Sequence, residues 1–269
     1  RGLGDVYKRQ DLNIINNHLS TIIYHRLQMD HNKVTPYNSE NSKKSQVEDM
    51  FDNIAPKYDL LNHVLSMKID VLWRNKLVDM LKKDQPQLVL DVATGTGDLA
   101  LAVQKGTNSD VVGLDLSQQM LNVGIEKIKK QNLDGKITMQ KGDAEQLPFE
   151  DNKFDGVTVA FGVRNFENLE KGLSELRRVV KENKNIYILE FSKVEGFLAP
   201  FYMFYFKNIL PAIGRLVSKD NRAYTYLPDS VNAFPYGEKM KTILLNTGFR
   251  KVEYTKLSLG IATIYKATK

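Results

Sequence analysis

The chain lacks cysteine altogether, and its four histidines all lie in the first quarter of the sequence. Without cysteine, the chain has no disulfides, zinc–thiolate sites or thiol nucleophiles. The histidines are His18, His25, His31 and His63, so no imidazole is available after residue 63. A Ser-His-Asp triad is therefore disfavoured, and no metal site is predicted.

Long apolar runs are also missing from the 269 residues. No stretch reaches the roughly 18 apolar residues that a membrane-spanning helix needs. The first ten residues are polar and contain no apolar segment of a secretory signal. These absences favour a cytoplasmic protein, either free or peripheral on the inner face of the cell membrane.

Half of the net charge of +6 lies in residues 1–44. Residues 1–44 contain seven basic and four acidic residues, and the remaining 225 residues carry only +3. A protein that binds nucleic acid would concentrate its basic residues in a stripe. We therefore expect no nucleic-acid partner, and a homo-oligomer is left open.

Residues 1–44 differ in character from the rest of the chain. They are polar and end in the loop-like sequence TPYNSENSKKS, which predicts a flexible leader. Residues 1–28 are expected to be non-native, with Met29 as the expected start. Helical spacing begins at Ser45, where Ser45 and Glu48 match a capping box. The sequence thus predicts a helical segment over 45–83 that opens a domain spanning 45–269.

Strand and helix patterns alternate from residue 88 onward. The predicted strands are 88–93, 110–116, 136–142, 154–161 and 185–191, and the predicted helices between them are 98–106, 117–132 and 168–182. Two closing segments, 249–257 and 261–268, predict an antiparallel C-terminal hairpin. The alternation indicates an α/β, Rossmann-like fold with a mostly parallel seven-stranded sheet.

An aromatic-rich insert over residues 196–236 interrupts this alternation. Six aromatic residues fall within positions 197–206 alone. Because the insert precedes the last two strands, we expect it to cap the carboxyl edge of the sheet on the substrate side. A helix that simply covers the core is the alternative.

The stretch LVLDVATGTGDLA, residues 88–100, places two glycines between a strand and a helix. Such a turn at the carboxyl edge of a parallel sheet binds nucleotide-like ligands. A P-loop is poorly supported, because Gly97 is followed by Asp98 rather than by lysine. A dinucleotide stays open, because Gly95, Gly97 and Ala100 fit its loose glycine pattern.

Acidic residues at the predicted strand ends favour a cationic ligand. Asp91 and Asp98 flank the glycine turn and would repel a pyrophosphate, which needs positive potential at a helix N-terminus. S-adenosylmethionine carries a sulfonium and an ammonium group and no phosphate. Asp115 is expected to accept hydrogen bonds from ribose hydroxyls, and Asp143 is expected to read the adenine. We therefore predict a methyltransferase that uses S-adenosylmethionine.

Specific motifs narrow this prediction. They are FDNIAPKYDLLNHVLS (51–66), DVATGTGD (91–98), GLDLSQQML (113–121), GDAEQLPF (142–149), FGVRN (161–165), LEFSK (189–193) and YTYLPDS (224–230). With these motifs, residues 45–269 resemble the UbiE/MenG family of quinone C-methyltransferases. The resemblance implies that Thr96, Asp115, Asp143 and Ala144 contact S-adenosylmethionine. Some relatives have serine at the position of Ala160, so one hydroxyl contact would be absent here.

The resemblance also implies methylation of a ring carbon of a polyprenylated quinol. We expect demethylmenaquinol to be converted to menaquinol in menaquinone biosynthesis. The alternative acceptor is the 2-methoxy-6-polyprenyl-1,4-benzoquinol intermediate of ubiquinone biosynthesis. Outside this class, a nicotinamide-dependent reductase and a cofactor-binding regulatory protein without activity are the competing interpretations. A membrane surface is an additional candidate partner, because such substrates reside in the bilayer.

Candidate site residues follow from the motifs and the strand ends. Loss of a proton from a ring hydroxyl would be assisted by Arg164 and Asn165 after the fourth strand. Tyr58 is the candidate in the helical segment, with Asp59, Asn62 and His63 as its alternatives. For Arg164 the alternative is a structural ion pair. The expected cofactor residues are Asp91, Gly95, Thr96, Gly97, Asp115, Asp143 and Ala144. The expected substrate residues are Phe201, Tyr205, Tyr224 and Tyr226.

Overall fold

The computed structural model describes residues 33–37, 39–66, 68–194, 196, 200, 204 and 222–269. Within these ranges, the side chains of residues 61, 63–65 and 222–224 are not described. The predictions for Phe201, Tyr205 and the side chain of Tyr224 therefore lie outside the described residues. So do the predictions for residues 1–32 and for most of the aromatic insert.

A helical segment precedes the sheet. It comprises α1 (Lys43–Ile54), α2 (Tyr58–Leu65) and α3 (Ile69–Lys82). The cap of α1 is Ser42, whose hydroxyl accepts a hydrogen bond from the Ser45 backbone N–H at 3.2 Å. The prediction that Ser45 itself caps this helix is wrong, because a serine three residues earlier satisfies the same unpaired backbone groups.

Strands and helices alternate after this segment, as the sequence predicted. The elements are β1 (Leu88–Val92), α4 (Asp98–Thr107), β2 (Asp110–Asp115), α5 (Gln118–Lys130), β3 (Ile137–Lys141), β4 (Phe154–Ala160), α6 (Leu169–Val179), β5 (Val180–Phe191), α7 (Arg222–Ala233), α8 (Glu238–Asn246), β6 (Lys251–Leu257) and β7 (Ala262–Thr268). The sequence analysis did not predict α8, which buries Met240, Ile243 and Leu244.

All seven strands form one sheet with the order β3-β2-β1-β4-β5-β7-β6. The first five strands pair in parallel, whereas β7 runs antiparallel to both β5 and β6. The mostly parallel sheet and the C-terminal hairpin are thereby confirmed. Strand order reverses at β1, which lies between β2 and β4. Ligands of such sheets bind outside the carboxyl ends of the strands at this reversal.

The junction between α6 and β5 differs from the prediction. The helix ends at Val179 and the strand begins at Val180, whereas the sequence predicted a helix to residue 182 and a strand from 185. Val180 pairs with Phe154, and the register then shifts so that Asn185 pairs with Gly156. The residues between them bulge out of the ladder, which local sequence patterns do not reveal.

Apolar side chains cover both faces of the sheet and join the helical segment to its carboxyl edge. One cluster packs α6 and α8 against one face, and a second packs α3, α4 and α5 against the other. A third cluster, which includes Val47, Met50, Met120, Tyr226 and Val231, joins α1 to α5 and α7. The helical segment is therefore held over the strand ends by buried apolar contacts.

Candidate active site

The glycine turn connects β1 to α4 through residues with left-handed backbone conformations. Gly95 has φ +56° and Gly97 has φ +78°, and Gly97 is the N-cap of α4. Ala93 adopts φ +53° in the same turn, a conformation that costs a non-glycine residue energy. The predicted glycines thus stand where the chain must turn sharply and where bare backbone faces the carboxyl edge.

Asp91, near the end of β1, is buried without a cation in hydrogen-bond contact. It is 1% exposed. Its carboxylate accepts hydrogen bonds from the hydroxyls of Thr94, at 2.6 Å, and Thr158, at 2.7 Å. Burial raises the pKa of Asp91 to about 6, although both hydroxyls oppose the shift. The site therefore holds a carboxylate whose ionised form would be stabilised by an incoming cation.

Asp115, the last residue of β2, ties the glycine turn to the neighbouring strand. Its two oxygens accept hydrogen bonds from the backbone N–H groups of Gly95, at 2.7 Å, and Ser117, at 2.9 Å. Burial raises its pKa to about 6. A carboxylate at this strand end has the position that binds ribose hydroxyls in sheets of this type.

Asp143 follows β3 and is covered by α1. Its carboxylate accepts hydrogen bonds from the Lys44 ammonium, at 2.6 Å, and from the Glu145 backbone N–H, at 2.8 Å. Lys44 also lies 3.4 Å from the Glu145 carboxylate. The sequence analysis missed Lys44, because it assigned residues 1–44 to the leader and the contact spans almost a hundred residues.

Two cavities at the carboxyl edge are lined by all of the predicted cofactor residues except Gly97. The larger has about 720 Å³ including its open mouth and is lined by Asp115, Asp143 and Ala144 among others. The smaller has about 350 Å³ and is lined by Asp91 and Thr96, together with Arg74 and Asp98. The residues that line both cavities are Tyr58, Ala93, Gly95, Ala160 and Phe161. The cavities thus adjoin along a shared wall, which suits one elongated ligand with different chemistry at its two ends.

Asp98 has cationic partners, contrary to its expected role beside the turn. It forms an ion pair with Lys127, and its other oxygen lies 3.7 Å from Nη2 of Arg74. Lys127 also donates to Asp59 at 2.8 Å and to the Thr96 hydroxyl at 3.1 Å. The Thr96 hydroxyl in turn donates to Asp59 at 2.5 Å. This network holds the glycine turn, and Asp98 does not present an unbalanced charge to a ligand.

Arg164 is buried in an ion pair behind the cleft. Its Nη1 lies 2.9 Å from Oε1 of Glu190 and also donates to the Phe161 carbonyl. Glu190 is fully buried and accepts further hydrogen bonds from the backbone N–H groups of Arg164, at 3.3 Å, and Phe191, at 2.9 Å. Among the residues that line the two described cavities, Phe161 is present and Arg164 is not. The contacts match the ion pair that was the alternative for Arg164, and its catalytic role stays a prediction.

Asn165 and Tyr58 line the cleft, and Tyr226 is hydrogen-bonded to Asn165. Asn165 lines the larger cavity, and its side-chain oxygen accepts a hydrogen bond from the Tyr226 hydroxyl at 3.1 Å. Tyr58 lines both cavities and packs edge-on against Phe51, with ring centroids 5.9 Å apart. Burial raises the pKa of the Tyr58 hydroxyl. Tyr58 thus lies where the two cavities adjoin, Asn165 lies in the larger cavity, and Tyr226 lines neither of the two.

The fold of this chain is shared with a solved structure. A SAM-dependent methyltransferase from Aquifex aeolicus superposes with a TM-score of 0.50 at 21% sequence identity, over 67% of this chain and 81% of that chain. The fold is therefore the Rossmann-like fold of S-adenosylmethionine-dependent methyltransferases, as predicted.

Sequence similarity identifies the family. Residues 39–269 match the model of the ubiE/COQ5 methyltransferase family. The chain is 48% identical over 239 residues to the demethylmenaquinone methyltransferase of Bacteroides fragilis strain ATCC 25285, covering 88% of this chain and 98% of the relative. It is 44% identical over 230 residues to the ubiquinone/menaquinone biosynthesis C-methyltransferase UbiE of Geotalea daltonii, covering 84% and 97%. The chain belongs to the ubiE/COQ5 methyltransferase family, and the resemblance stated above is confirmed.

Proposed function

We propose that this chain transfers a methyl group from S-adenosylmethionine to a ring carbon of a polyprenylated quinol, converting demethylmenaquinol to menaquinol. The observation that carries the proposal is the pair of adjoining cavities lined by the acidic residues of β1, β2 and the loop after β3. The Bacteroides relative, named demethylmenaquinone methyltransferase, supports the naphthoquinol as the acceptor. The benzoquinol acceptor has no comparable support, although the name of the Geotalea relative covers both pathways.

The residues at the carboxyl edge fit S-adenosylmethionine. In our proposal Asp115 holds the ribose, and Asp143 and Ala144, which line the same cavity, contact the adenine. Asp91, Gly95, Thr96 and Gly97 belong to the turn beside the smaller cavity, where the methionine portion would lie. Asp91 supports this assignment most directly, because a buried carboxylate without a cationic hydrogen-bond partner suits a ligand that carries positive charge.

S-adenosylmethionine, when bound, supplies an electrophilic methyl group on its sulfonium. The contribution of the chain is to align the ring carbon with this group and to help the ring hydroxyl lose its proton. In our proposal Asn165 and Tyr58 contact the ring, because both line the larger cavity. Arg164 acts from behind Phe161, and its positive charge would favour a phenolate at the ring. Tyr226 holds the Asn165 side chain in place.

The substrate side of the proposal includes the insert over 196–236 and a membrane surface. Phe201, Tyr205 and Tyr224 are proposed to line the path of the prenyl chain. In the ranges that the structure covers, every helix is too short or too polar to cross a bilayer. Leu72 and Leu259 are 66% and 78% exposed, and they flank the hydrogen bond between Trp73 and Ser258. These apolar groups would support contact with the inner face of the cell membrane.

Methyl transfer from labelled S-adenosylmethionine tests the proposal. Reduced demethylmenaquinol and the benzoquinol intermediate are supplied in parallel, and label in the naphthoquinol product is the expected result. Asp115→Asn should weaken cofactor binding, whereas Asp110→Asn, at the opposite and exposed end of the same strand, should not. Label in neither quinol, with cofactor binding intact, would refute the quinol assignment. Label in the benzoquinol alone would replace the acceptor.

A further inference from the structure

The smaller cavity has groups of opposite charge among its lining residues. Asp91 belongs to the strand side, at β1, and Arg74 belongs to the helical segment, at α3. Arg74 is 8% exposed and lies over the ring of Phe161, with its guanidinium carbon 5.9 Å from the ring centroid. A small cavity with a carboxylate and a guanidinium in its wall is suited to a zwitterion.

The contacts of Arg74 leave part of its guanidinium open to a ligand. Its Nη1 donates to Oδ2 of Asp70 at 2.5 Å, within the same helix. Its Nη2 lies 3.7 Å from Asp98, which is longer than a hydrogen bond, and Asp98 is engaged by Lys127. A guanidinium carries five N–H donors in a rigid fork that matches a carboxylate. Asp70 therefore fixes the side chain, and the Nη2 edge retains donor capacity beside the cavity.

The order of the two cavities along the cleft indicates which part of the cofactor would reach Arg74. The larger cavity contains Asp115 and Asp143, the residues expected to hold the ribose and adenine. An adenosine in that cavity would direct the rest of the molecule past Tyr58 and Gly95 into the smaller cavity, since both residues line both spaces. The remaining polar groups of S-adenosylmethionine are an α-ammonium and an α-carboxylate. They match Asp91 and Arg74, whereas Asp98, the third charged residue in this wall, is paired with Lys127.

We propose that Arg74 binds the α-carboxylate of S-adenosylmethionine while Asp91 lies on the side of the α-ammonium. This inference rests on the proposed function, because it extends the cofactor site of the same reaction. It assigns to α3 a role in binding, in addition to its packing against α4. Neither glycine motif nor strand-end pattern points to Arg74, which lies 17 residues before Asp91 in the sequence.

A comparison of two ligands separates this role from a structural one. S-adenosylmethionine and decarboxylated S-adenosylmethionine share the adenosine, the sulfonium and the amine, and differ in the carboxylate. Binding of each is measured by isothermal titration calorimetry on the full chain. A hydrogen-bonded ion pair predicts that the wild-type protein binds S-adenosylmethionine about 10- to 100-fold more tightly than the decarboxylated form. Arg74→Gln should lower this ratio to within about twofold.

Further variants show whether a change in binding comes from the loss of the guanidinium or from a disturbed fold. Arg74→Gln leaves the buried Asp70 without its guanidinium partner, so Asp70→Asn/Arg74→Gln removes both charges together. This double variant should also lose the preference for the carboxylate, and Arg74→Lys should retain part of it. Arg177→Gln is the matched control, because the Arg177 Nε donates to the carbonyl of Gly248 away from the cleft. It should bind both ligands as the wild-type protein does.

The possible outcomes distinguish this inference from the proposed function. A folded Arg74 variant that still prefers S-adenosylmethionine over its decarboxylated form overturns the assignment. So does equal binding of the two ligands by the wild-type protein, which would leave the methyltransferase proposal intact. Failure of the wild-type protein to bind S-adenosylmethionine at all would overturn the proposed function and the role of Arg74 together.

Discussion

Two carboxylates are buried at the carboxyl edge of the sheet, and their partners differ. Asp91 is the penultimate residue of β1 and Glu190 the penultimate residue of β5, and they are 1% and 0% exposed. Hydroxyls of Thr94 and Thr158 hold Asp91, whereas the Arg164 guanidinium holds Glu190. Burial raises the pKa of both carboxyl groups, and only Glu190 has a cation in contact to oppose the shift.

The difference separates a buried carboxylate that is suited to a cationic ligand from one that is held in an ion pair. Hydroxyl partners satisfy hydrogen bonds and leave Asp91 without a cation in contact, so the region can stabilise a positive ligand. At Glu190 a guanidinium is in direct contact with the carboxylate, and the same guanidinium donates to the Phe161 carbonyl, so the pair supports the backbone of the wall that contains Phe161. Burial alone would have assigned both carboxylates the same role.

The largest effect on stability is expected from breaking the ion pair between Arg164 and Glu190. Glu190→Ala leaves the buried Arg164 without the carboxylate that balances it, and should lower the free energy of unfolding by about 3–5 kcal/mol. Urea denaturation measures the change. The double variant Arg164→Met/Glu190→Leu should be more stable than the single variant, because it removes both charges. A loss below about 1 kcal/mol for Glu190→Ala would contradict the contrast between the two carboxylates.

A pH-dependent effect is expected at β1. The pKa of Asp91 is about 6 in the folded protein against 3.8 for the unperturbed group. Between these values the folded state holds a proton that the unfolded chain has released, so stability falls as pH rises through this window. Asp91→Asn removes this loss, which amounts to at most about 3 kcal/mol at pH 7. The stability of the variant relative to wild type should therefore increase from pH 4 to pH 7.

Asp155, at the start of β4, provides a control of opposite sign. Hydrogen bonds from Lys181 and two backbone N–H groups outweigh burial and lower its pKa. Asp155→Asn should therefore cost stability above the unfolded pKa and lose this effect in acid. If Asp91→Asn followed the same pH trend, the interpretation of Asp91 as a buried carboxylate without a contacting cation would be wrong.

A smaller effect is expected from crowding the glycine turn. A Cβ on Gly124 of α5 would lie 2.5 Å from Cε of Met139 and 3.1 Å from the Thr96 carbonyl carbon. Gly124→Ala should lower stability by about 1–3 kcal/mol and weaken cofactor binding, because the backbone of the turn must shift. Gly135→Ala is the control, since a Cβ there meets nothing within 4 Å. Thermal unfolding and calorimetric titration measure the two effects, and unchanged binding by a folded Gly124→Ala would count against close packing of the turn.

The smallest effect is expected from removing the hydrogen bond between Tyr226 and Asn165. Tyr226→Phe removes the donor to Asn165 and should lower the free energy of unfolding by about 1 kcal/mol. Turnover of the quinol should fall while affinity for S-adenosylmethionine stays at the wild-type value. Tyr254→Phe, which loses only an exposed hydrogen bond to Glu238, should change neither. Loss of cofactor affinity in Tyr226→Phe would place this hydrogen bond on the cofactor side of the cleft instead.

Much of the fold and part of the site followed from local sequence patterns. Alternating strand and helix periods predicted the sheet, and parallel strands bring their carboxyl ends to one edge. Asp91, Asp115 and Asp143 could therefore be placed together without knowledge of any contact. Local patterns did not predict the N-cap of α1, because Ser42 and Ser45 are both suitable capping residues within one turn. They also did not predict the bulge through which β5 begins at Val180.

The partners of the charged groups depended on the tertiary structure. Lys44 reaches Asp143, Lys127 reaches Asp98, and Arg164 reaches Glu190, over separations of 99, 29 and 26 residues. No pattern of a few residues encodes such pairs. Whether a buried carboxylate meets a hydroxyl or a guanidinium decides whether a cation balances its charge at contact distance. The sequence by itself determined where the acidic residues stand along the sheet edge. Only the tertiary structure decided which of them are compensated, because electrostatic interactions act through space rather than along the chain.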